Sequence, residues 1–296
     1  MGNREIGCSL ITATYCAAAS LGSLEDCGMS IDSVVSHYTH EEPIDRILAS
    51  LRAAGFDLEA LQPQDLSGVD EFHLGGRLAT TELLKSVKLT APSRLLDVGC
   101  GIGGAARTIA AATGCTVNGI DLTPSFVAAA TQLSKLVGMT DHTTFDVATA
   151  LDLPFDDATF DAVTVLHVGM NIDDKRALFA ELARVLVDGG TLHVYDVMRI
   201  GDGDLTWPLP WSSDPSHSFV VRPDEYVAAL ESAGLQPRQP VNYIELVRTA
   251  LAASQANPPT INLSHLMGPD WPTMFANLGG ALAAGIVAPT EIVATK

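Results

Sequence analysis

Apolar positions divide the chain into two regions of different period. Through residues 31–89 they recur at helical spacing. Ile44, Ile47, Leu48, Leu51 and Ala54 share one helical face, and Gly55 follows as a stop. A second helix is expected from about 76 to 87, with Leu78, Leu83, Leu84 and Val87 as its apolar stripe, while Pro63, Gly68, Gly75 and Gly76 mark loops. From Ser93 onward short apolar runs at 94–98, 116–120, 143–147, 160–167 and 191–197 read as strands. Helical patterns at 104–112, 125–137 and 173–186 separate them, the last ended by Gly189 and Gly190.

Strands that alternate with helices imply an α/β fold: a Rossmann-like, doubly wound, mostly parallel sheet. A Pro- and Trp-bearing insertion covers 201–221, and a helix at 223–233 opens with Pro223 and ends at Gly234. A sixth strand is expected at 242–247, helices at 246–256 and 271–284, and a seventh strand near 286–295. The organisation is thus an extension at 1–30, a helical lid at 31–90, and a sheet domain at 91–296 with substrate-covering insertions at 201–222 and 247–284.

Composition narrows the function classes. With 47% hydrophobic and 18% charged residues the 296-residue chain can bury a core. Its formal net charge of −18 repels phosphate backbones and anionic membranes, and there is no block of Lys or Arg, so no nucleic acid partner is expected. No apolar run reaches the ~18 residues of a spanning helix. Cys8, Cys16, Cys27, Cys100 and Cys115 match neither a zinc pattern nor a disulfide framework, which suits a reducing compartment, and no metal is expected. Residues 6–21 are rich in Ala, Ser, Thr and Cys, with Arg4 before and Glu25 and Asp26 after. They read either as a targeting peptide, which implies an organelle, or as an extension of a cytoplasmic protein.

The chemistry concentrates at 95–104, LLDVGCGIGG, on a strand-to-helix turn. Gly99, Gly101 and Gly104 fit G-x-G-x-x-G, and Asp121 follows Gly104 by 17 residues, a spacing suited to ribose hydroxyls. Such glycines serve dinucleotides equally well, or simply pack a helix on a strand. Asp97, two positions before Gly99, discriminates: a carboxylate there repels a pyrophosphate and suits a cationic amine. S-adenosylmethionine carries an ammonium beside a sulfonium, so Asp97 favours it over NAD. A helix-capping carboxylate is the structural alternative.

Four segments in order, LLDVGCGIGG, GIDLTPSFVAAA, LDLPFDDATFDAV and ARVLVDGGTLHVYDV, resemble class I S-adenosylmethionine-dependent methyltransferases. The resemblance implies that Asp97, Gly99, Gly101 and Gly103 cradle the methionine portion. It places the ribose on Asp121 with Leu122, and the adenine against Thr149, Ala150 and Leu151. Thr149 departs from the acid often found before that Ala, leaving Asp146 or a backbone carbonyl to bond the adenine amine. The segments SHYTHEEPIDRIL, EFHLGGRLAT, HVGMNIDDK and WPLPWSSDPSHSF resemble the sarcosine/dimethylglycine N-methyltransferase group and, more distantly, quinone and tocopherol methyltransferases.

Methyl transfer is an in-line displacement, so positioning the nucleophile is the main task, and a base is needed only for a protonated acceptor. His167, ending the fourth strand, is the candidate to orient the substrate or take a proton, with Met170 and Asn171 beside it; its alternative is a loop hydrogen bond. Tyr38 on the lid is the second catalytic candidate, and His73, in FHLGG, is expected to face the same site. Trp207 and Trp211 offer faces to a cationic amine, worth ~0.5–2 kcal/mol each, or pack internally. The foremost acceptor is the nitrogen of a small amine or amino-acid derivative. S-methylation of a carboxylate-bearing thioether or thiol, and O- or C-methylation of a ring metabolite, remain open. So do two other classes: an NAD-dependent oxidoreductase and a non-methylating S-adenosylmethionine-binding protein.

Overall fold

The structure is a computed structural model that describes residues 43–256, 261–263 and 269–296. Tyr38 and the extension at 1–30 lie outside the described residues.

Five parallel strands form most of one sheet: β1 (Arg94–Val98), β2 (Thr116–Asp121), β3 (Thr143–Val147), β4 (Phe160–Leu166) and β5 (Leu186–Arg199). The helices between them are α3 (Gly104–Thr113), α4 (Pro124–Leu136) and α5 (Lys175–Val185), after α1 (Pro43–Ala53) and α2 (Gly76–Leu83) of the N-terminal segment. The chain ends in α6 (Pro223–Ser232), β6 (Gln236–Pro237), β7 (Val241–Asn242), α7 (Ile244–Ala256), α8 (Trp271–Ala283) and β8 (Val287–Thr295). The order is β3-β2-β1-β4-β5-β8-β6, with β7 also on β8, and β8 runs antiparallel to β5. Strand order reverses between β1 and β4, where open α/β sheets bind ligands beyond the strands' carboxyl ends. β4 is almost wholly buried because helices cover both faces of the sheet.

Three expected elements differ. The strand at 242–247 is replaced by the dipeptides β6 and β7, each paired with β8. Pro237 and Pro240 lack the N–H that a longer ladder needs, and the Asn242 side chain accepts the Ile244 N–H at 2.9 Å, opening α7 at once. Gly189 and Gly190 do not end a helix: α5 stops at Val185, and the glycines lie in an irregularity of β5, where pairing jumps from Phe160–Leu186 to Ala162–Thr191. On α2 the buried face is Ala79, Thr80 and Leu83, while Leu78 is exposed, because Thr80 hydrogen-bonds the buried Glu71.

The N-terminal segment is fixed to the sheet domain. Ile44, Ile47 and Leu51 of α1 share a core cluster with Phe126, Ala129 and Leu133 of α4. Asp70 pairs with Arg107 of α3 at 2.9 Å, both buried, and Arg107 also donates to the Ile102 carbonyl at 2.9 Å. A Cβ on Gly104 would lie 1.8 Å from the Asp70 carbonyl oxygen. The third glycine of the motif therefore serves this close approach of two backbones.

Candidate active site

A cleft opens at the carboxyl ends of β1, β2 and β4, with about 1190 Å³ of empty space counting solvent at its mouth. Its inner half is built by the motif at β1. Gly99 (φ +67°) and Gly101 (φ +53°) both line it in the left-handed region that only glycine adopts readily. Gly103 (φ +82°) does not line the cleft: a Cβ there would meet the Phe145 ring at 2.7 Å and Arg107 at 2.8 Å, so its role is to start α3 against them.

Asp97, paired in register with Thr164 of β4, sits beneath the cleft rather than on its wall. It is 2% exposed. Its Oδ1 accepts the Thr164 hydroxyl at 2.7 Å, and its Oδ2 has no hydrogen-bond partner. Burial pushes its pKa up to about 7 against the opposing Thr164 bond. The capping alternative does not hold, because no helix N–H reaches it.

Asp121 ends β2 and lines the cleft. Its two oxygens accept the Gly101 and Thr123 N–H groups, each at 2.9 Å. Burial raises its pKa while these bonds lower it. The carboxylate thus holds the glycine turn, and each oxygen keeps further lone-pair capacity toward the cleft. Leu122, Thr149, Ala150 and Leu151 also line it. The Thr149 hydroxyl accepts the Leu151 N–H at 3.3 Å and so closes its own turn. Asp146 is exposed and does not line the cleft.

The outer half centres on His167, directly after β4. Its φ of +58° is rare for a side-chain-bearing residue, and such strain collects at functional sites. Its N–H donates to the Tyr195 carbonyl at 2.8 Å, and its ring stacks on Tyr195 with centroids 5.3 Å apart. Nε2 is buried without a partner. Burial, with His73 nearby, holds the ring's pKa well below the ordinary histidine value, so it is neutral. Met170 and Asn171 follow in a short turn fixed from below, where Asp196 accepts the Met170 N–H at 2.9 Å and the Tyr226 hydroxyl at 2.7 Å. Burial pushes Asp196 up to about 6. The Asn171 Oδ1 is buried and unpartnered.

Trp211 lines the cleft, its indole N–H donated to Ser218 at 2.9 Å. Trp207 does not; it packs behind against a cluster containing Val197 and Leu209. His73 does not face the cleft either. Its Nε2 lies 3.2 Å from the Gly76 carbonyl and 3.0 Å from the Thr80 hydroxyl, and burial pushes it down to about 4. Phe72 and Leu74 line the cleft in its place, together with Pro210, Trp271 and Leu278. Glu71 and His73 point into a polar network with Thr80, while the alternating Phe72 and Leu74 line the cleft. That alternation was the available signal for the first two. Trp271 and Leu278 reach the cleft only through tertiary packing of α8.

Residues 96–194 match the family model of the methyltransferase domain. The chain is 32% identical over 140 residues to "Methyltransferase GfsG" of Streptomyces halstedii, covering 47% of this chain and 50% of that protein. It spans about half the length of the curated relatives it matches. In fold it is similar to a geranyl diphosphate methyltransferase in complex with SAM (TM-score 0.59, 20% identity, 74% of this chain and 84% of that one). It is also similar to the 4+2 cyclase SpnF (TM-score 0.59, 21% identity, 85% and 93%). The matched segment carries the glycine turn, Asp97 and Asp121 on the expected strands, and over these residues the chain is similar to methyltransferase domains.

Proposed function

We propose that the protein transfers the methyl group of S-adenosylmethionine to a small-molecule acceptor held beyond β4 and β5. The observation that carries this reading is the unpartnered Oδ2 of Asp97, buried directly under the glycine turn. A buried carboxylate oxygen without a donor calls for a cation or a donor, and the amino group of the cofactor's methionine portion supplies both. A pyrophosphate would meet the same oxygen as a like charge.

In this reading Gly99 and Gly101 let backbone approach the methionine portion, Asp121 and Leu122 hold the ribose, and Thr149, Ala150 and Leu151 flank the adenine. The lid contributes Phe72 and Leu74, which close the cleft from the N-terminal side. When bound, S-adenosylmethionine would supply an electrophilic methyl carbon on a sulfonium. The neutral His167 ring accepts a hydrogen bond from the acceptor at Nε2 and takes its proton as charge develops. Tyr195 beneath it keeps the ring at the cleft wall.

Calorimetry with S-adenosylhomocysteine and with NAD tests the reading. Micromolar binding of the first and no heat with the second is expected; NAD binding without an S-adenosylhomocysteine signal would overturn it.

A further inference from the structure

We infer that the acceptor is an uncharged, ring-bearing apolar molecule that presents a hydroxyl to His167, and not a small zwitterionic amine. This rests on the methyl-transfer reading above and concerns the outer half of the same cleft. Its wall is made by Phe72, Leu74, Met170, Trp211, Trp271 and Leu278. Two neighbouring aromatic residues have their polar ends engaged elsewhere: the Trp211 N–H by Ser218 at 2.9 Å, and the Tyr195 hydroxyl by the Leu74 carbonyl at 2.9 Å. These rings therefore offer apolar faces.

Charge points the same way. Among the described residues that line the cleft, Asp121 is the one charged side chain, and no Lys or Arg is among them. A carboxylate or phosphate on the acceptor would lose its hydration against this wall and find no counter-charge among the described residues that line it. An amino-acid-like amine, the foremost expectation from the sequence, carries such a carboxylate.

Two polar atoms interrupt the apolar wall, Nε2 of His167 and Oδ1 of Asn171, both buried and unpartnered. Both residues line the cleft; Oδ1 of Asn171 accepts, and Nε2 of the neutral His167 ring accepts in its Nδ1–H tautomer, so the pair suits a donor. A hydroxyl supplies a donor and still keeps a lone pair for the methyl group. An ammonium supplies donors but no lone pair. In the transfer, the hydroxyl oxygen forms the new bond to the methyl carbon and the methyl–sulfur bond breaks with its pair on sulfur. The hydroxyl proton passes to His167 Nε2 and then to solvent.

The test is calorimetry on the full chain preloaded with S-adenosylhomocysteine, titrated in turn with naphthol, naphthoate and sarcosine. Naphthol should bind at least tenfold more tightly than naphthoate, which differs by its charge, and sarcosine should give no heat. His167→Asn, a residue that tolerates the left-handed backbone, should weaken naphthol about fivefold and leave methylnaphthalene unchanged. Trp271→Lys, which brings an ammonium to the half-exposed mouth, should narrow the preference for naphthol over naphthoate at least threefold. Tighter binding of sarcosine or naphthoate, or no preference for the neutral ring, overturns the inference. Failure of the preloading step instead overturns the methyl-transfer reading, so the two failures are distinguishable.

Discussion

The two halves of the cleft are built by different means. The inner half comes from one continuous unit, the β1 turn and the end of β2, and its groups are set by backbone: left-handed glycines, two N–H groups on Asp121, and a carboxylate locked by a register partner. The outer half is gathered from distant places, with Phe72 and Leu74 before the sheet, His167 and Asn171 after β4, Trp211 in the insertion and Trp271 on α8. A fixed ligand fragment allows a local motif, because every contact can be made by neighbours in sequence. An acceptor that differs between relatives is met by side chains on loops and late helices, which change without disturbing the scaffold.

The largest effect that separates the halves is expected at His167. His167→Asn should lower turnover with the true acceptor by ~10²-fold or more, the span of general acid–base effects, while S-adenosylhomocysteine affinity stays within about twofold. Steady-state kinetics beside calorimetry checks this, and equal losses in both would place His167 in the inner half. Next is the clamp that carries Phe72 and Leu74. Asp70→Ala leaves Arg107 buried and unpaired, which costs ~3–5 kcal/mol. Denaturant unfolding should show that loss, and a change under 1 kcal/mol would mean the lid segment is not held by this pair.

Smaller effects should divide by half. Asp121→Ala should weaken cofactor binding about tenfold or more, as it removes a charge-assisted acceptor and loosens the turn at Gly101 and Thr123. Asp97→Asn should weaken it too, yet stabilise the ligand-free protein. The folded-state pKa of about 7 lies above the ordinary 3.8. Ionisation therefore costs folding stability that grows as pH rises from about 4 to about 7 and persists above. A melting temperature at pH 8 that rises in Asp97→Asn, with poorer S-adenosylhomocysteine binding, is the expected pairing; a fall in melting temperature would contradict it.

The same division explains what the sequence made legible. Asp97, Gly99, Gly101 and Asp121 stand in cleft positions, or directly beneath the cleft, because strand-turn-helix units fix them by local geometry, and Thr149 stands there on a turn it closes itself after β3. The five parallel strands and the existence of a last strand follow from apolar runs, whereas the antiparallel direction of β8 comes only from its pairing with β5. The strand expected at 242–247 was misread because an apolar run does not show where Asn242 starts a helix. Trp207 and Trp211 look alike in the chain, and only packing decides that the second faces the cleft while the first lies behind it. His73 was drawn to the site by its residue type, whereas its ring completes a buried network with Thr80 and Glu71.

The central claim is that the orphaned carboxylate of Asp97 receives the cofactor's ammonium, and proton linkage tests it most directly. In the free protein Asp97 is largely protonated at pH 6, since burial holds its pKa at about 7. A bound ammonium keeps it ionised, so binding must release its proton. Calorimetry of S-adenosylhomocysteine binding in buffers of different ionisation enthalpy should therefore show release of about one proton at pH 6. The release should fade by pH 8 and be absent in Asp97→Asn. Binding at pH 6 with no proton released, or with the same release in the variant, would contradict the account.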